Sequence, residues 1–389
     1  MTPNTMAEEA KKFLVPEILF GLGCRERAGQ YAANLGIRRA LLLSDAGVMA
    51  AGWTDQVRHS LHAAGVEDVL FTQVRPNPRD REVAAGHARY LAEGCNGIVV
   101  GGGGSPMDCA KGVGILASNR GRVNDFEGVD TIPRPGPPLV CLPTTAGTAA
   151  DVSQFCIITD TERRVKMAIV SRALVPDVSL VDPETTLTMD PGLTAATGMD
   201  ALTHAAEAIV SNARSPLTDL HAAEAIRLVW TFLPRVMEEP RNPEWRRALA
   251  LASLHAGLAF SNASLGAVHA MAHALGGMLD MAHGVCNAIL LPHVVARNFA
   301  AAQEGYRTMA AAMGLAEEEC ASPACREGLL ARIGELQRRV GIEQSLADVG
   351  VQEGDIPVLA GIARRDACLV TNPFQPTRKD LEEIYARAL

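Results

Sequence analysis

The sequence predicts an α/β unit built on a parallel sheet, followed by an all-helical unit, and three observations carry that expectation. The chain has 389 residues, more than one hydrophobic core normally organises, so two units meeting at a cleft are expected. Its first half alternates β-branched runs with helical patterns. From about Asp190 onward, Ala- and Leu-rich segments with helical spacing follow one another, broken by Pro and Gly rather than by strand runs.

In chain order, Arg39–Ser44 reads as a buried strand, Val69–Val74 as a second, Gly97–Val100 as a third, Pro138–Leu142 as a fourth and Val178–Val181 as the last. Helical stretches such as Asp55–Ala64 and Asp80–Glu93 lie between them. The second half reads as helices over Gly198–Ser211, Thr218–Met237, Trp245–Phe260 and Ala267–Met278. The Pro-containing turn Val181-Asp-Pro-Glu184 divides the chain into 1–184 and 185–389. Neither repeats nor low-complexity segments interrupt this pattern.

The chain is 48% hydrophobic and 21% charged, which suits two packed cores and excludes a disordered or fibrous chain. A net charge of −8, with no run of Lys or Arg, argues against a nucleic-acid partner. Glu317-Glu318-Glu319 reads as a solvated helix face. No stretch approaches the roughly 18 consecutive apolar residues of a membrane span, and Met1–Lys12 has no apolar signal core. A cytoplasmic protein with no membrane partner is expected. Its nine scattered cysteines, without a CxxC pair, read as reduced packing thiols.

Gly101-Gly-Gly-Gly-Ser105 directly follows the third strand and precedes a helical stretch carrying Asp108 and Lys111. Glycines allow close backbone approach to a ligand, and the helix N-terminus offers unpaired N–H groups to a pyrophosphate. The loop matches neither GxGxxG nor GxxxxGKS, and a plain strand-to-helix turn is the alternative. Pro143-Thr-Thr-Ala-Gly-Thr148 follows another strand and lines the same kind of strand-end crevice, which favours a dinucleotide. Asp45 comes just after the first strand. There it either accepts ribose hydroxyls, favouring NAD over NADP, or caps a helix.

Asp200 and His204 are four apart, so a helix puts carboxylate and imidazole on one face. His269 and His273 repeat that spacing, and His283 follows what reads as a Gly-Gly turn. Half of the ten histidines (204, 269, 273, 283 and 293) fall in these segments, among Ala, Gly, Met and Leu. Buried imidazoles are costly unless they share an ion, and one carboxylate with up to four imidazoles suits Fe(II) or Zn(II) better than Ca(II) or Mg(II).

These residues resemble the iron-containing (group III) alcohol dehydrogenase family. The resemblance runs through Pro76-Asn-Pro78, Gly102-Gly-Gly-Ser-Pro-Met-Asp108, Pro143–Thr148, Gly198–His204, Gly257–Ser264, His269–Gly276, His283-Gly284 and Thr371-Asn-Pro373. It implies an N-terminal dinucleotide-binding domain, a helical metal domain, and assembly as a homodimer or larger homo-oligomer. It also implies Asp200, His204, His269 and His283 as ligands of Fe2+, with Zn2+ as the other candidate, and leaves His273 near the metal and nicotinamide without being a ligand. Pyrophosphate contacts are implied at Gly102, Gly103, Gly104 and Ser105, further NAD contacts at Thr144, Thr145 and Lys166, and ribose contacts at Asp45. Asn77, Asp108 and Thr148, inside the matched motifs, complete the cofactor set. Two departures stand out: Phe374-Gln375 where many relatives carry a charged pair, and Asp151 in place of a more usual Glu.

The implied activity is hydride transfer between NAD(H) and a small primary alcohol or aldehyde such as ethanol, a short diol, lactaldehyde or sulfoacetaldehyde. His273 is the candidate proton carrier, with a packing role as the alternative. An NAD- and metal-dependent cyclase or lyase of the dehydroquinate-synthase type would need several Lys and Arg for a polyanionic substrate, and the Gly198–His283 span is poor in Lys. A non-catalytic dinucleotide sensor would have a broken ligand set.

Overall fold

Strands form where apolar runs are buried on both faces, as a parallel sheet requires. The computed structural model describes residues 10–389; most of the Met1–Lys12 stretch read for a signal core lies outside them. The strands are β1 (Glu17–Phe20), β2 (Arg39–Leu43), β3 (Glu67–Phe71), β4 (Gly97–Gly102), β5 (Gly128–Val129), β6 (Leu139–Pro143), β7 (Phe155–Asp160), β8 (Val165–Val170) and β9 (Val178–Val181). Six of them form one wholly parallel sheet in the order β1-β9-β6-β4-β2-β3.

Five helices punctuate this half: α1 (Ala28–Asn34), α2 (Ala46–Ala50), α3 (Trp53–Ala63), α4 (Asp80–Ala92) and α5 (Gly104–Ser118). The period of two along each strand sends alternate residues to opposite cores. Ala40 and Leu42 pack with α1 and α3, whereas Leu41 and Leu43 pack with α4 and α5. From β2 the chain steps outward to β3 and then returns to place β4 on the other side of β2. Strand order therefore reverses at β2 and β4, and the crevice beyond their C-terminal ends is where open α/β sheets bind ligands.

Besides adding β1, unforeseen in the sequence, at the edge of the main sheet, the structure revises the expected elements in three places. The second strand is Glu67–Phe71 rather than Val69–Val74, because its pairing follows β2 from Arg39 to Leu43 and ends there. An antiparallel hairpin, β7–β8, joins β5 in a separate three-stranded sheet that was not expected from the sequence. Third, no turn occurs at Gly276-Gly277.

After β9 the described chain holds only helices: α6 (Pro191–Ala208), α7 (Pro216–Glu238), α8 (Pro243–Ala263), α9 (Ala267–Leu279), α10 (His283–Asn298), α11 (Gln303–Ala312), α12 (Glu317–Ala321), α13 (Cys325–Val340), α14 (Ile356–Ala363) and α15 (Arg378–Ala388), with short 3-10 turns. α6 starts on an Asp190 cap whose side chain accepts from the Leu193 N–H, with Pro191 at the first helical position. α9 runs through Gly276-Gly277 to Leu279, and close packing calls for glycine there: a Cβ at Gly276 would lie 2.6 Å from Lys166 Cε and one at Gly277 2.9 Å from the Lys166 backbone N. These glycines let the β8 hairpin lie against the helix. The break falls at Asp280, in the left-handed region at φ 53°.

Among the described residues no single helix is long and apolar enough to cross a membrane. All nine cysteines are free and buried. Glu317, Glu318 and Glu319 form the exposed first turn of α12.

Candidate active site

A single cleft of about 1030 Å³ runs from the ends of β2 and β4 to the helices α6, α9 and α10. Fifteen of the sixteen residues singled out in the sequence line it: Asp45, Asn77, Gly103, Gly104, Ser105, Asp108, Thr144, Thr145, Thr148, Lys166, Asp200, His204, His269, His273 and His283. Gly102 does not. It is the last residue of β4, paired with Pro143, and the Thr144 N–H donates to its carbonyl at 2.9 Å. Its part is to tie the two loops together behind the wall.

At the sheet end the wall is backbone. Gly103 caps α5 without a side-chain bond, leaving first-turn N–H groups for a ligand. The threonine loop lies directly on the glycine loop: a Cβ at Gly104 would be 2.9 Å from Thr148 Cγ2. Asp45 caps α2, its Oδ1 accepting the Val48 N–H at 2.9 Å, and the residue also lines the cleft. Asn77 reaches across, its Nδ2 donating to Asp280 Oδ1 at 2.7 Å, and Arg79 pairs with Asp280 Oδ2 at 3.0 Å. This clasp joins the first half of the chain to the turn before His283. Deeper in, burial pushes the Asp108 carboxyl up to about 7 against the pull of Lys111 and Lys166, and burial lowers the Lys166 ammonium.

At the helical end the wall is side chains. Three imidazole Nε2 atoms surround Asp200 Oδ1: His204 at 3.9 Å, His269 at 3.8 Å and His283 at 3.7 Å. Asp200, His269 and His283 form a group whose donor atoms all lie within 4.8 Å of one another. Four donors held about 2.1 Å from a tetrahedral metal would be about 3.4 Å apart; the three distances to Asp200 Oδ1 are within a few tenths of an ångström of that, whereas His204 stands outside the 4.8 Å group and would have to close in on it.

The outer ring nitrogens explain why Nε2 faces inward. His204 Nδ1 lies 3.2 Å from the Gly147 carbonyl, which can only accept, so Nδ1 carries the proton. Gly147 has room for nothing larger, because a Cβ there would lie 2.6 Å from Thr197 Cβ on α6. His269 Nδ1 donates to Glu207 Oε2 at 2.6 Å, and the other Glu207 oxygen accepts the Val268 N–H at 2.6 Å. His273 Nδ1 donates to Asp366 Oδ2 at 2.8 Å. Phe260 stacks on His204 with ring centroids 4.2 Å apart.

The electrostatics draw positive charge to this point. Burial opposes ionisation of Asp200, yet His204, His269 and His283 hold its carboxyl well below the usual range. Burial lowers His204 to about 4 despite Asp200, and lowers His283 well below its ordinary value. His269 lies between two carboxylates, Asp200 and Glu207, which outweigh burial and raise it to about 9. Asn287 Nδ2 donates to Asp200 Oδ1 at 2.7 Å and lies 3.2 Å from both His269 Nε2 and His283 Nε2. Its Oδ1 and His283 Nδ1 are buried without hydrogen-bond partners. Converging lone pairs, one carboxylate and a polar group inserted among them suit a divalent N/O-coordinated cation.

The sequence reading missed Glu207, Asn287, Gly147 and Asp366. Glu207 lies three residues after His204, but its partner is 62 residues further on. Asp366 is 93 residues from His273, just before Thr371-Asn-Pro373, where Asn372 Oδ1 accepts the Ala267 N–H at the start of α9. His293, counted with the cluster, does not line the cleft; burial, and after it the Arg387 charge, lowers its ring below the ordinary value.

Comparison with known proteins matches this architecture across the chain. The profile described as "Iron-containing alcohol dehydrogenase" covers residues 16–183, and "Fe-containing alcohol dehydrogenase family, C-terminal" covers 194–389. The chain belongs to the iron-containing alcohol dehydrogenase family. It is 42% identical over 379 residues to a 1,3-propanediol dehydrogenase of Klebsiella pneumoniae, covering 97% of this chain and 98% of that one. An NAD-dependent methanol dehydrogenase of Bacillus methanolicus is 36% identical over 377 residues, with 97% and 99% covered. The crystal structure of a 1,3-propanediol oxidoreductase superposes with a TM-score of 0.95 at 42% identity, covering 98% of this chain and all of that one.

Proposed function

We propose that this member of the family oxidises small primary alcohols to aldehydes with NAD, or runs the reverse reduction, using one divalent metal held by Asp200, His204, His269 and His283. The observation that carries the reading is the convergence of three Nε2 atoms on Asp200 Oδ1 at 3.7–3.9 Å, at one end of the cleft whose other end is the glycine loop. When bound, the cation supplies Lewis acidity to a hydroxyl or carbonyl oxygen, and the nicotinamide accepts or donates the hydride.

The chain's own residues do the rest. First-turn N–H groups of α5 at Gly103, Gly104 and Ser105 hold the pyrophosphate, with Thr144, Thr145, Thr148 and Asn77 around it, and Asp45 takes the ribose hydroxyls and repels a 2′-phosphate. Lys166 and Asp108 line the wall between nucleotide and metal, where burial works against the charged form of each. Glu207 and Gly147 fix the orientation of His269 and His204. Phe260, stacked on His204, gives the reacting end an apolar wall suited to a short carbon chain. His273 meets a hydroxyl beside the metal and passes its proton toward solvent.

Residues 1–184 carry the nucleotide and 185–389 the metal in this reading. A cytoplasmic homodimer is proposed with it, in keeping with nine reduced cysteines. The high similarity to a 1,3-propanediol dehydrogenase makes short diols the first substrates to try. The test is NADH formation with a panel of short alcohols and diols, by protein loaded anaerobically with Fe(II) or Zn(II). Turnover that disappears with chelator is expected, and no NADH from any of them would contradict the reading.

A further inference from the structure

His273 is four residues after His269 on α9 and lines the cleft beside the proposed metal group; it is held through Nδ1 by a carboxylate as His269 is by Glu207, but its Nε2 is not among the three that converge on Asp200 Oδ1. Its Nδ1 lies 2.8 Å from Asp366 Oδ2, a carboxylate presented by the C-terminal segment. Asp366 is itself gripped: Oδ1 accepts the Cys368 N–H at 2.8 Å, capping the turn Ala367–Thr371. Both oxygens are therefore committed, one to backbone and one to the ring. Among the described residues His273 Nε2 makes no hydrogen bond. We propose that Asp366 is a positioning residue that locks His273 in the Nδ1–H tautomer and a single ring orientation, so that Nε2 offers a lone pair to a hydroxyl of the substrate or of the cofactor ribose.

Hydrogen-bond accounting supports the assignment. A carboxylate only accepts, so the shared proton belongs to Nδ1, and a neutral imidazole then has one acceptor, Nε2. Asp366 stays ionised in its buried position, since burial is outweighed by His273 and by the Cys368 groups. The arrangement also makes one substitution informative out of proportion to its size. In Asp366→Asn the single carbonyl oxygen is needed by the Cys368 N–H, and an amide NH2 then faces Nδ1. Nδ1 must accept, the proton moves to Nε2, and the lone pair leaves the cleft. An isosteric Asp-to-Asn exchange beside a histidine is known to act through the wrong tautomer in this way. Asp366→Ser keeps a good cap for the turn but is too short to dictate the tautomer.

The inference rests on the proposed reading of the cleft, and its test has one arm that needs no turnover. Nitrogen NMR of histidine-labelled, zinc-loaded protein reads the tautomer of His273, assigned by its loss in His273→Ala. Nδ1–H is expected in the wild type and Nε2–H in Asp366→Asn. In steady-state kinetics Asp366→Asn is expected to lower kcat on the order of 100-fold or more, with metal content, NAD affinity and Tm unchanged. Asp366→Ser, the larger change in shape, is expected to lose less turnover than Asp366→Asn. The proposal is overturned if Asp366→Asn keeps the Nδ1–H tautomer, if Ser is the more damaging substitution, or if turnover is lost together with metal or Tm. Absence of alcohol turnover in the wild type would sink the proposed activity and leave the tautomer result standing on its own.

Discussion

At the sheet end of the cleft the binding surface is backbone: glycines that admit a close neighbour, a helix N-terminus, and a threonine loop lying 2.9 Å over the space a Gly104 Cβ would take. At the helical end it is side chains, three of the four imidazoles turned by a partner behind them: His204 by the Gly147 carbonyl, His269 by Glu207, His273 by Asp366. A backbone surface is specified by the absence of bulk, and so tolerates changes that do not fill it. A ring of imidazoles is specified by proton positions, and one altered partner changes what the whole ring can bind. Losses should therefore be steeper at the helical end than at the sheet end.

The largest effect is expected for His269→Ala, which removes a donor from the group around Asp200. Metal retention and turnover should both vanish, while NAD still binds as read by fluorescence titration; unchanged activity would remove His269 from the site. Next is Glu207→Gln. Changes behind a metal-ligating histidine commonly cost about 10–100-fold in metal affinity, and zinc titration of the purified protein should show a loss in that range. Unaltered zinc affinity would mean that the His269 orientation is set elsewhere.

At the sheet end, Gly104→Val is expected to weaken NAD binding by about 1–2 kcal/mol through overpacking against Thr148, with metal content unaltered. A parallel fall in metal content would erase the distinction between the two ends. Asp45→Gly is gentler: discrimination against NADP should relax, and an unchanged NAD to NADP ratio of kcat/KM would place ribose recognition elsewhere.

The smallest expected effect concerns charge. Asp108 titrates at about 7 when folded because of burial, above the ordinary carboxylate value. The folded chain thus holds a proton that the unfolded chain releases, and this group's contribution to stability falls as pH rises from about 4 to 7. Asp108→Asn lacks that decline, so the wild-type Tm minus the variant Tm should decrease from acid to neutral pH. A constant difference would show that Asp108 is not held protonated.

Much of this was readable in the chain because local pattern and fold agree. Val178–Val181 is a strand end to end, and Asp200 with His204 needed only helical spacing to share a face. The β7–β8 hairpin was overlooked although Phe155–Thr159 and Val165–Val170 are rich in β-branched and apolar residues around a polar turn. Gly276-Gly277 looked like a turn because glycine breaks helices in isolation, whereas here the close approach of Lys166 decides. Glu207 and Asp366 were illegible for a different reason: their significance lies in atoms 62 and 93 residues away, and no local pattern records a tertiary hydrogen bond.

The most direct measurement of the central claim is anomalous scattering from a crystal grown with Fe(II) or Zn(II). A single peak about 2.1 Å from an Asp200 carboxylate oxygen and from Nε2 of His204, His269 and His283 is the expected result. A fully loaded protein whose peak lies away from these four groups would contradict it.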